Sequence, residues 1–236
     1  MIRSLLFAVQ MYVAMGVLGL IFLPAALVSR DGALRACKLW CRWVRWTARW
    51  MIGLRTEVRG APPEGPVLVA AKHQSFLDVI LIFAALPRPR FILKAQLLRL
   101  PVFGWYVRRL GCIPVEPGRK GEGTARMVGA VGRNPGGQIV IYPQGTRVPV
   151  GRTVPYRQGV AALYAHLDQP CVPVATNAGR FWPLGLRRHP GLTVVEFLDP
   201  IPPGLPPESF LAELQARIEA SSSALLDADH DPHRHA

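Results

Sequence analysis

The apolar positions fall into three regimes along the chain. From Leu5 to Leu27 nearly every residue is apolar, with Gln10 near the start and Pro24 near the end as interruptions. As a helix this run extends roughly 34 Å against a hydrocarbon core of about 30 Å, so it is long enough to span a bilayer. Pro24 would stop the helix early and leave about 28 Å, a length that also suits a re-entrant or half-buried anchor. Arg3 before the run and Ala25-Ala26 after it fit a cleaved signal peptide as a competing reading.

The second regime, Arg35 to Leu54, is amphipathic. At about 100° per residue, Arg35, Lys38, Arg42, Arg45 and Arg49 fall in one narrow band, and Trp40, Trp43, Trp46 and Trp50 in the adjoining one. Indoles at headgroup level beside cations that meet lipid phosphates describe an interfacial helix. The alternative is a helix whose tryptophans pack on the domain core. By the positive-inside tendency, the side carrying this cluster, and the domain after it, is cytoplasmic.

From Thr56 onward short apolar runs alternate with helical periodicity. Residues 67–71, 90–94, 112–115, 138–142, 171–175 and 192–198 read as strands, and 76–86, 105–110, 124–133 and 159–166 as helices. Continuous apolar strands separated by helices predict an α/β fold, a mixed sheet covered on both faces. Pro206-Pro207 and Glu208 start one further helix, followed by a tail with His230, His233 and His235. The expected organisation is membrane-anchoring helices over 1–55, an α/β domain over 56–200, and a C-terminal helix with an acidic tail over 201–236.

Charge sharpens this picture. The chain of 236 residues carries 28 Lys+Arg against 15 Asp+Glu, a net +13, with a mean hydropathy of +0.21 and 50% hydrophobic residues. These values exclude a mainly disordered chain and suit a globular body held at a membrane. A basic excess fits nucleic acid, an anionic membrane surface or a phosphorylated substrate. Residues 199–236 carry seven acids and two arginines, a net of −5, so the remainder holds +18. Only four of the bases are lysines. Arginine suits phosphate through its bidentate fork, although a coding bias toward arginine gives the same count. Cys37, Cys41, Cys112 and Cys171 form no C-x-x-C pair and no zinc spacing, which points to reduced thiols.

Candidate chemistry sits where strands end. Lys72-His73-Gln74-Ser75-Phe76-Leu77-Asp78 follows the strand at 67–71 and opens a helix, the place where α/β sheets bind ligands. With a turn between them, His73 and Asp78 meet, and a carboxylate on one imidazole nitrogen leaves the other free as a base. Ser75 to Asp78 also matches a helix N-terminal cap, in which Asp78 bonds only backbone donors. Tyr142-Pro143-Gln144-Gly145-Thr146-Arg147 follows the strand at 138–142. Gly145 permits close backbone approach, Thr146 offers a hydroxyl and Arg147 a bidentate donor, together a phosphate cradle. A third block comprises Lys94, Leu100-Pro101-Val102-Phe103-Gly104 and Gly111-Cys112-Ile113-Pro114-Val115; the fourth is Val172-Pro173-Val174.

In this order and spacing, over roughly Val58 to Leu198, the four blocks resemble the glycerolipid acyltransferase family, that of the lysophosphatidate acyltransferases. The resemblance implies that His73 is the general base and that Asp78 orients it and stabilises its charged form. It implies that Gly145, Thr146 and Arg147, with Lys94 and Arg119, bind the acceptor phosphate. Two departures stand out. Gln144 takes the place of the family's usual glutamate, so a role that needs a carboxylate is lost and a hydrogen-bonding role survives. Glu116-Pro117-Gly118 separate the strand at 112–115 from Arg119, where the family places an arginine directly after the strand.

The implied reaction moves a fatty acyl group from an acyl thioester, acyl-CoA or acyl-carrier protein, to the free hydroxyl of 1-acyl-sn-glycerol-3-phosphate. The product is phosphatidic acid, a step of phospholipid biosynthesis. No cofactor or metal is expected, and the absence of G-x-S-x-G argues against a covalent acyl-enzyme. Another lysolipid acceptor, such as a lyso-ornithine lipid, is the alternative within this class. A non-catalytic basic protein that binds a membrane surface or nucleic acid is the rival of another class. It expects aromatic and basic residues across an exposed sheet face, whereas here they cluster beside the apolar segment, so no nucleic-acid partner is expected.

Overall fold

The computed structural model describes residues 1–116, 122–132 and 136–228. Among these, seven strands form one sheet: β1 (Leu54–Arg59), β2 (Val67–Ala71), β3 (Pro89–Lys94), β4 (Ile113–Val115), β5 (Gln138–Ile141), β6 (Cys171–Thr176) and β7 (Gly191–Phe197), in the order β1-β7-β6-β2-β5-β3-β4. All pairings are parallel except β6 with β7, so the sheet is mixed, as the alternation of strands and helices predicts. The strand at Leu54–Arg59 was not expected. It starts within the range assigned to the anchoring helices and buries only Leu54, so its sequence has no apolar alternation to announce it.

The centre of the sheet shows why it is covered on both sides. All five residues of β2 are buried. Val67, Val69 and Ala71 face one apolar cluster, while Leu68 and Ala70 face the other. Successive strand residues point to opposite faces, so a strand that is apolar throughout needs a layer on each. The first layer is made by α1 (Ile2–Ile21), α3 (Arg30–Ile52), α4 (Phe76–Ala85) and α5 (Pro101–Arg109). The second is made by α6 (Glu122–Gly132), α7 (Gln158–Leu167) and α9 (Pro207–Asp227). Phe210, Leu214 and Ile218 of α9 are fully buried at helical spacing, each worth about 1.5–3 kcal/mol relative to exposure.

The N-terminal apolar run does not form one helix. It breaks at Phe22, and Pro24 sits in the first turn of a short α2 (Leu23–Val28), where proline lacks no needed donor. By length and composition α1 suffices to cross a membrane. It nevertheless lies along the body over its whole length. The Arg188 backbone N–H donates to Ser4 Oγ (3.1 Å), Phe7 meets the Trp182 ring edge-on (5.3 Å), Trp40 Nε1 donates to the Met11 carbonyl (3.0 Å), and Tyr106 Oη donates to the Gly19 carbonyl (2.8 Å). Gln10 is satisfied inside the same seam: its Nε2 donates to Thr47 Oγ1 (3.0 Å), and its Oε1 accepts from Trp43 Nε1 (2.8 Å). The opposite side of α1 exposes Leu5, Leu6, Val9, Val13 and Val17.

Helix α3 keeps the expected division of faces in part: of the five bases, Lys38 and Arg45 are half-buried, and Arg45 Nε donates to Thr56 Oγ1 (2.9 Å). Trp43, Trp46 and Trp50 are exposed in a row, their rings tilted on one another with centroids 5.4 and 5.7 Å apart. Arg35, Arg42 and Arg49 are exposed beside them. Trp40 instead turns inward, against the core and tilted on Phe76 (6.1 Å). It lies at the edge of the tryptophan band nearest the buried arc, so packing takes it.

Candidate active site

The carboxyl ends of β2, β5, β6 and β3 share one edge of the sheet, because these neighbouring strands run parallel. Each is followed there by a segment with candidate chemistry: Lys72 to Asp78 after β2, Tyr142 to Arg147 after β5, Asn177 to Trp182 after β6, and Lys94 at the end of β3. The loops after β2 and β5 are tied together. The Val148 N–H donates to the His73 carbonyl (2.8 Å), and the His73 N–H donates to Gln144 Oε1 (3.2 Å).

His73 and Asp78 do meet, and Asp78 also caps its helix. Ser75 is the N-cap of α4, and its Oγ accepts from the Leu77 N–H (3.1 Å). Asp78 Oδ2 accepts from the N–H groups of Gln74 (2.8 Å) and Ser75 (2.7 Å), while Oδ1 lies 3.0 Å from His73 Nδ1. The two sequence readings of Asp78, cap and imidazole partner, therefore hold on different oxygens of one carboxylate. A carboxylate only accepts, so Nδ1 carries the hydrogen and Nε2 keeps its lone pair. Asp78 is fully buried and His73 partly so.

The sequence pattern gives Tyr142 no role of its own. Its ring stacks on His73 (4.0 Å, 20°), and its hydroxyl donates to Asp78 Oδ1 (3.2 Å). Burial, reinforced by the Asp78 charge, raises the phenol well above its ordinary pKa, so it remains a donor. Together Asp78 Oδ1 accepts from Tyr142 and His73, and Oδ2 from the backbone; these bonds orient the imidazole.

Gly145 adopts a left-handed φ of +69°, and a Cβ there would stand 2.6 Å from Arg157 Nε. The guanidinium of Arg157 therefore lies directly on the Gly145 backbone. The Arg157 N–H donates to the Pro143 carbonyl (2.9 Å), which closes the loop. Thr146, Arg147, Arg157 and Lys94 are exposed. None makes an ion pair with a described residue, so the edge carries uncompensated positive charge. Nothing in the sequence around Arg157 marked it; only the left-handed glycine brings it beside the Gly145-Thr146-Arg147 block. Gln144 is buried, and its Nε2 has no partner among the described residues. Arg119 lies outside the described residues, as do His230, His233 and His235.

Behind the site, buried Lys72 pairs with Glu219 of α9, whose Oε1 accepts from Tyr156 Oη (3.0 Å). The C-terminal helix thus grips both the residue before His73 and the residue before Arg157.

Residues 55–177 match the model of the family described as Acyltransferase. The chain belongs to the acyltransferase family. This acyltransferase is 33% identical over 188 residues to the 1-acyl-sn-glycerol-3-phosphate acyltransferase of Pseudomonas aeruginosa, covering 77% of this chain and 72% of that one. It is 34% identical over 110 residues to the lyso-ornithine lipid O-acyltransferase of the same organism, covering 44% of this chain and 40% of that one. The crystal structure of the 1-acyl-sn-glycerophosphate (LPA) acyltransferase from Thermotoga maritima superposes with a TM-score of 0.80 at 20% identity, over 95% of this chain and 97% of that chain. That likeness shows the fold.

Proposed function

We propose that this acyltransferase transfers a fatty acyl group from a thioester to the free hydroxyl of 1-acyl-sn-glycerol-3-phosphate. The observation that carries the chemistry is the 3.0 Å contact of His73 Nδ1 with Asp78 Oδ1, which leaves Nε2 as a base at the sheet edge. Nε2 takes the hydroxyl proton as the oxygen attacks the thioester carbonyl. Asp78 stabilises the imidazolium, the tetrahedral intermediate collapses, and the thiol leaves with a proton returned by His73. Positioned base catalysis of this kind supplies roughly 10²–10⁴-fold in rate, and holding both substrates together adds to it.

Arg147, with Thr146 and Lys94, receives the acceptor phosphate, and Arg119 is assigned the same role by family resemblance. Arg157 joins them because its guanidinium lies on Gly145, beside Thr146. Gln144 keeps the hydrogen-bonding part of its position's role, since its Oε1 accepts from the His73 backbone.

The acyl chains of both substrates are met at a bilayer. The outer face of α1 and the Trp43-Trp46-Trp50 row form the contact, with Arg35, Arg42 and Arg49 toward lipid phosphates. The bonds that hold α1 along the body from Ser4 to Gly19 support a lateral contact, with α1 half-inserted rather than spanning. The basic band supports a position of the body on the cytoplasmic face, by the positive-inside tendency.

The testing experiment gives the purified chain lysophosphatidate or lyso-ornithine lipid, each with acyl-CoA and with acyl-carrier-protein thioesters. Turnover with lysophosphatidate in preference to lyso-ornithine lipid supports the proposal, and the reverse order overturns it. The same matrix identifies the donor carrier.

A further inference from the structure

The segment between α8 (Ala178–Phe181) and β7 carries chemistry that acyl transfer does not use. Its tip exposes Leu184 (53%) and Leu186 (60%), separated by Gly185 with φ +99° and followed by exposed Arg187. Large apolar side chains at the tip of a polar-flanked loop stay in water only at a free-energy cost unless something covers them.

The loop is firmly seated. Trp182 is buried, its ring meets Phe7 of α1, and the Arg188 guanidinium lies 4.5 Å above that ring. Arg188 Nη1 donates to the carbonyls of Gly185 (2.7 Å) and Arg187 (2.8 Å), and the His189 N–H donates to the Phe181 carbonyl (2.8 Å). The Arg188 N–H to Ser4 Oγ bond fixes the loop at the first turn of α1, next to exposed Ile2, Leu5 and Leu6. The apolar tip is therefore continuous with the outer face of α1. Arg3 and Arg187 are exposed and basic, and Arg187 makes no ion pair with a described residue.

We propose that Leu184, Leu186 and Arg187 form a second lipid-contacting element, whose partner is an anionic bilayer surface. The leucines enter the acyl boundary and Arg187 meets the headgroup phosphates. This rests on the membrane reading of α1 and adds a distinct surface to it. The element also connects to the site: the Trp182 carbonyl accepts from Ser75 Oγ (2.7 Å), and Ser75 caps the helix that carries Asp78. A loop anchored in lipid thus holds the His73 edge at the level from which acyl chains arrive. Continuity with α1 and the positive charge favour lipid over a second copy of the chain.

The test uses the full-length chain, its Leu184→Ser/Leu186→Ser variant and its Arg187→Glu variant. Co-sedimentation is measured with phosphatidylcholine vesicles containing or lacking phosphatidylglycerol, together with oligomeric state and turnover on a short-chain monomeric acceptor. The double variant should partition about tenfold more weakly or worse into both vesicle types, since it lacks the two apolar side chains that enter the acyl boundary. Arg187→Glu should lose mainly the increment due to phosphatidylglycerol, and both variants should keep turnover on the short-chain acceptor. Vesicle binding equal to wild type in both variants overturns the loop proposal while leaving the α1 reading standing. A change of oligomeric state with unchanged vesicle binding overturns it in favour of a second copy. Failure of the wild-type chain to bind either vesicle overturns the proposal and the membrane reading together.

Discussion

Asp78 faces His73 with one carboxylate oxygen and caps helix α4 with the other, so a single buried side chain couples the start of a helix to the orientation of an imidazole. Asp78→Asn should separate these duties. An amide at this position cannot accept at both oxygens, and an amide nitrogen toward His73 favours the tautomer with hydrogen on Nε2. We predict turnover reduced by about 10²–10⁴-fold, with stability lowered by only about 0.5–2 kcal/mol through the weakened cap. Steady-state kinetics and denaturant unfolding check both parts. A loss of activity matched by global unfolding would contradict them.

Gln144 lies against the His73 backbone where a glutamate is usual in the family. Gln144→Glu retains the acceptor and introduces a negative charge close to the imidazole, which favours the imidazolium. The acidic limb of the pH–rate profile should move to higher pH, so activity falls most below neutrality and recovers as pH rises. An unshifted limb would show that the charge does not reach the ring.

Arg147 and Arg157 flank Gly145 with no ion pair to described residues. Alanine at either position should raise KM for lysophosphatidate about tenfold or more, in line with the loss of a charge-assisted contact of ~1.5–3 kcal/mol, with a smaller effect on kcat. An acceptor without the phosphate should not register the substitution. Equal loss with both acceptors would remove these arginines from the phosphate role.

Much of this arrangement was legible in the sequence, for identifiable reasons. The apolar runs of β2, β5 and β6 are self-evident because strands covered on both faces need no alternation, and the motif loops follow them directly. The N-cap pattern at Ser75 and the H-x4-D spacing were both readable, but only three dimensions show that Asp78 serves both. β1 escaped because its stability comes from pairing with β7, Leu54 beside Gly191, rather than from its own residues. Arg157 and the Lys72–Glu219 pair escaped because they depend on contacts across the fold. Trp40 shares its periodicity with three exposed indoles, and which side of the boundary it takes is decided by what α1 presents to it.

The pair of Lys72 with Glu219 joins the sheet edge to the C-terminal helix and is largely buried. Glu219→Ala leaves the lysine charge without a counterion and removes the acceptor of Tyr156. We predict destabilisation of about 3–5 kcal/mol, measured by denaturant unfolding. The Lys72→Met/Glu219→Leu variant, which removes both charges, should recover most of it.

Buried thiols and phenols set the alkaline limit. Burial raises the thiols of Cys41 and Cys171 above their ordinary value of 9.0 and, with the Glu219 charge, the phenol of Tyr156 above 10.0. These groups stay protonated in the folded chain while the unfolded chain loses their protons. Folding therefore binds protons, and stability is full below about pH 9 and declines as pH rises above it, by up to about 1.4 kcal/mol per pH unit for each group. Thermal unfolding from pH 7 to 11 measures the slope, and Cys171→Ala should make it shallower.

If His73 Nε2 is the base for acyl transfer, loss of the imidazole removes turnover and leaves the fold. The most direct measurement compares His73→Ala with wild type in transfer from an acyl thioester to lysophosphatidate, alongside circular dichroism and vesicle binding. Turnover of His73→Ala should be lower by at least about 10²-fold, with fold and vesicle binding retained. Near wild-type transfer by the folded variant would contradict the base role.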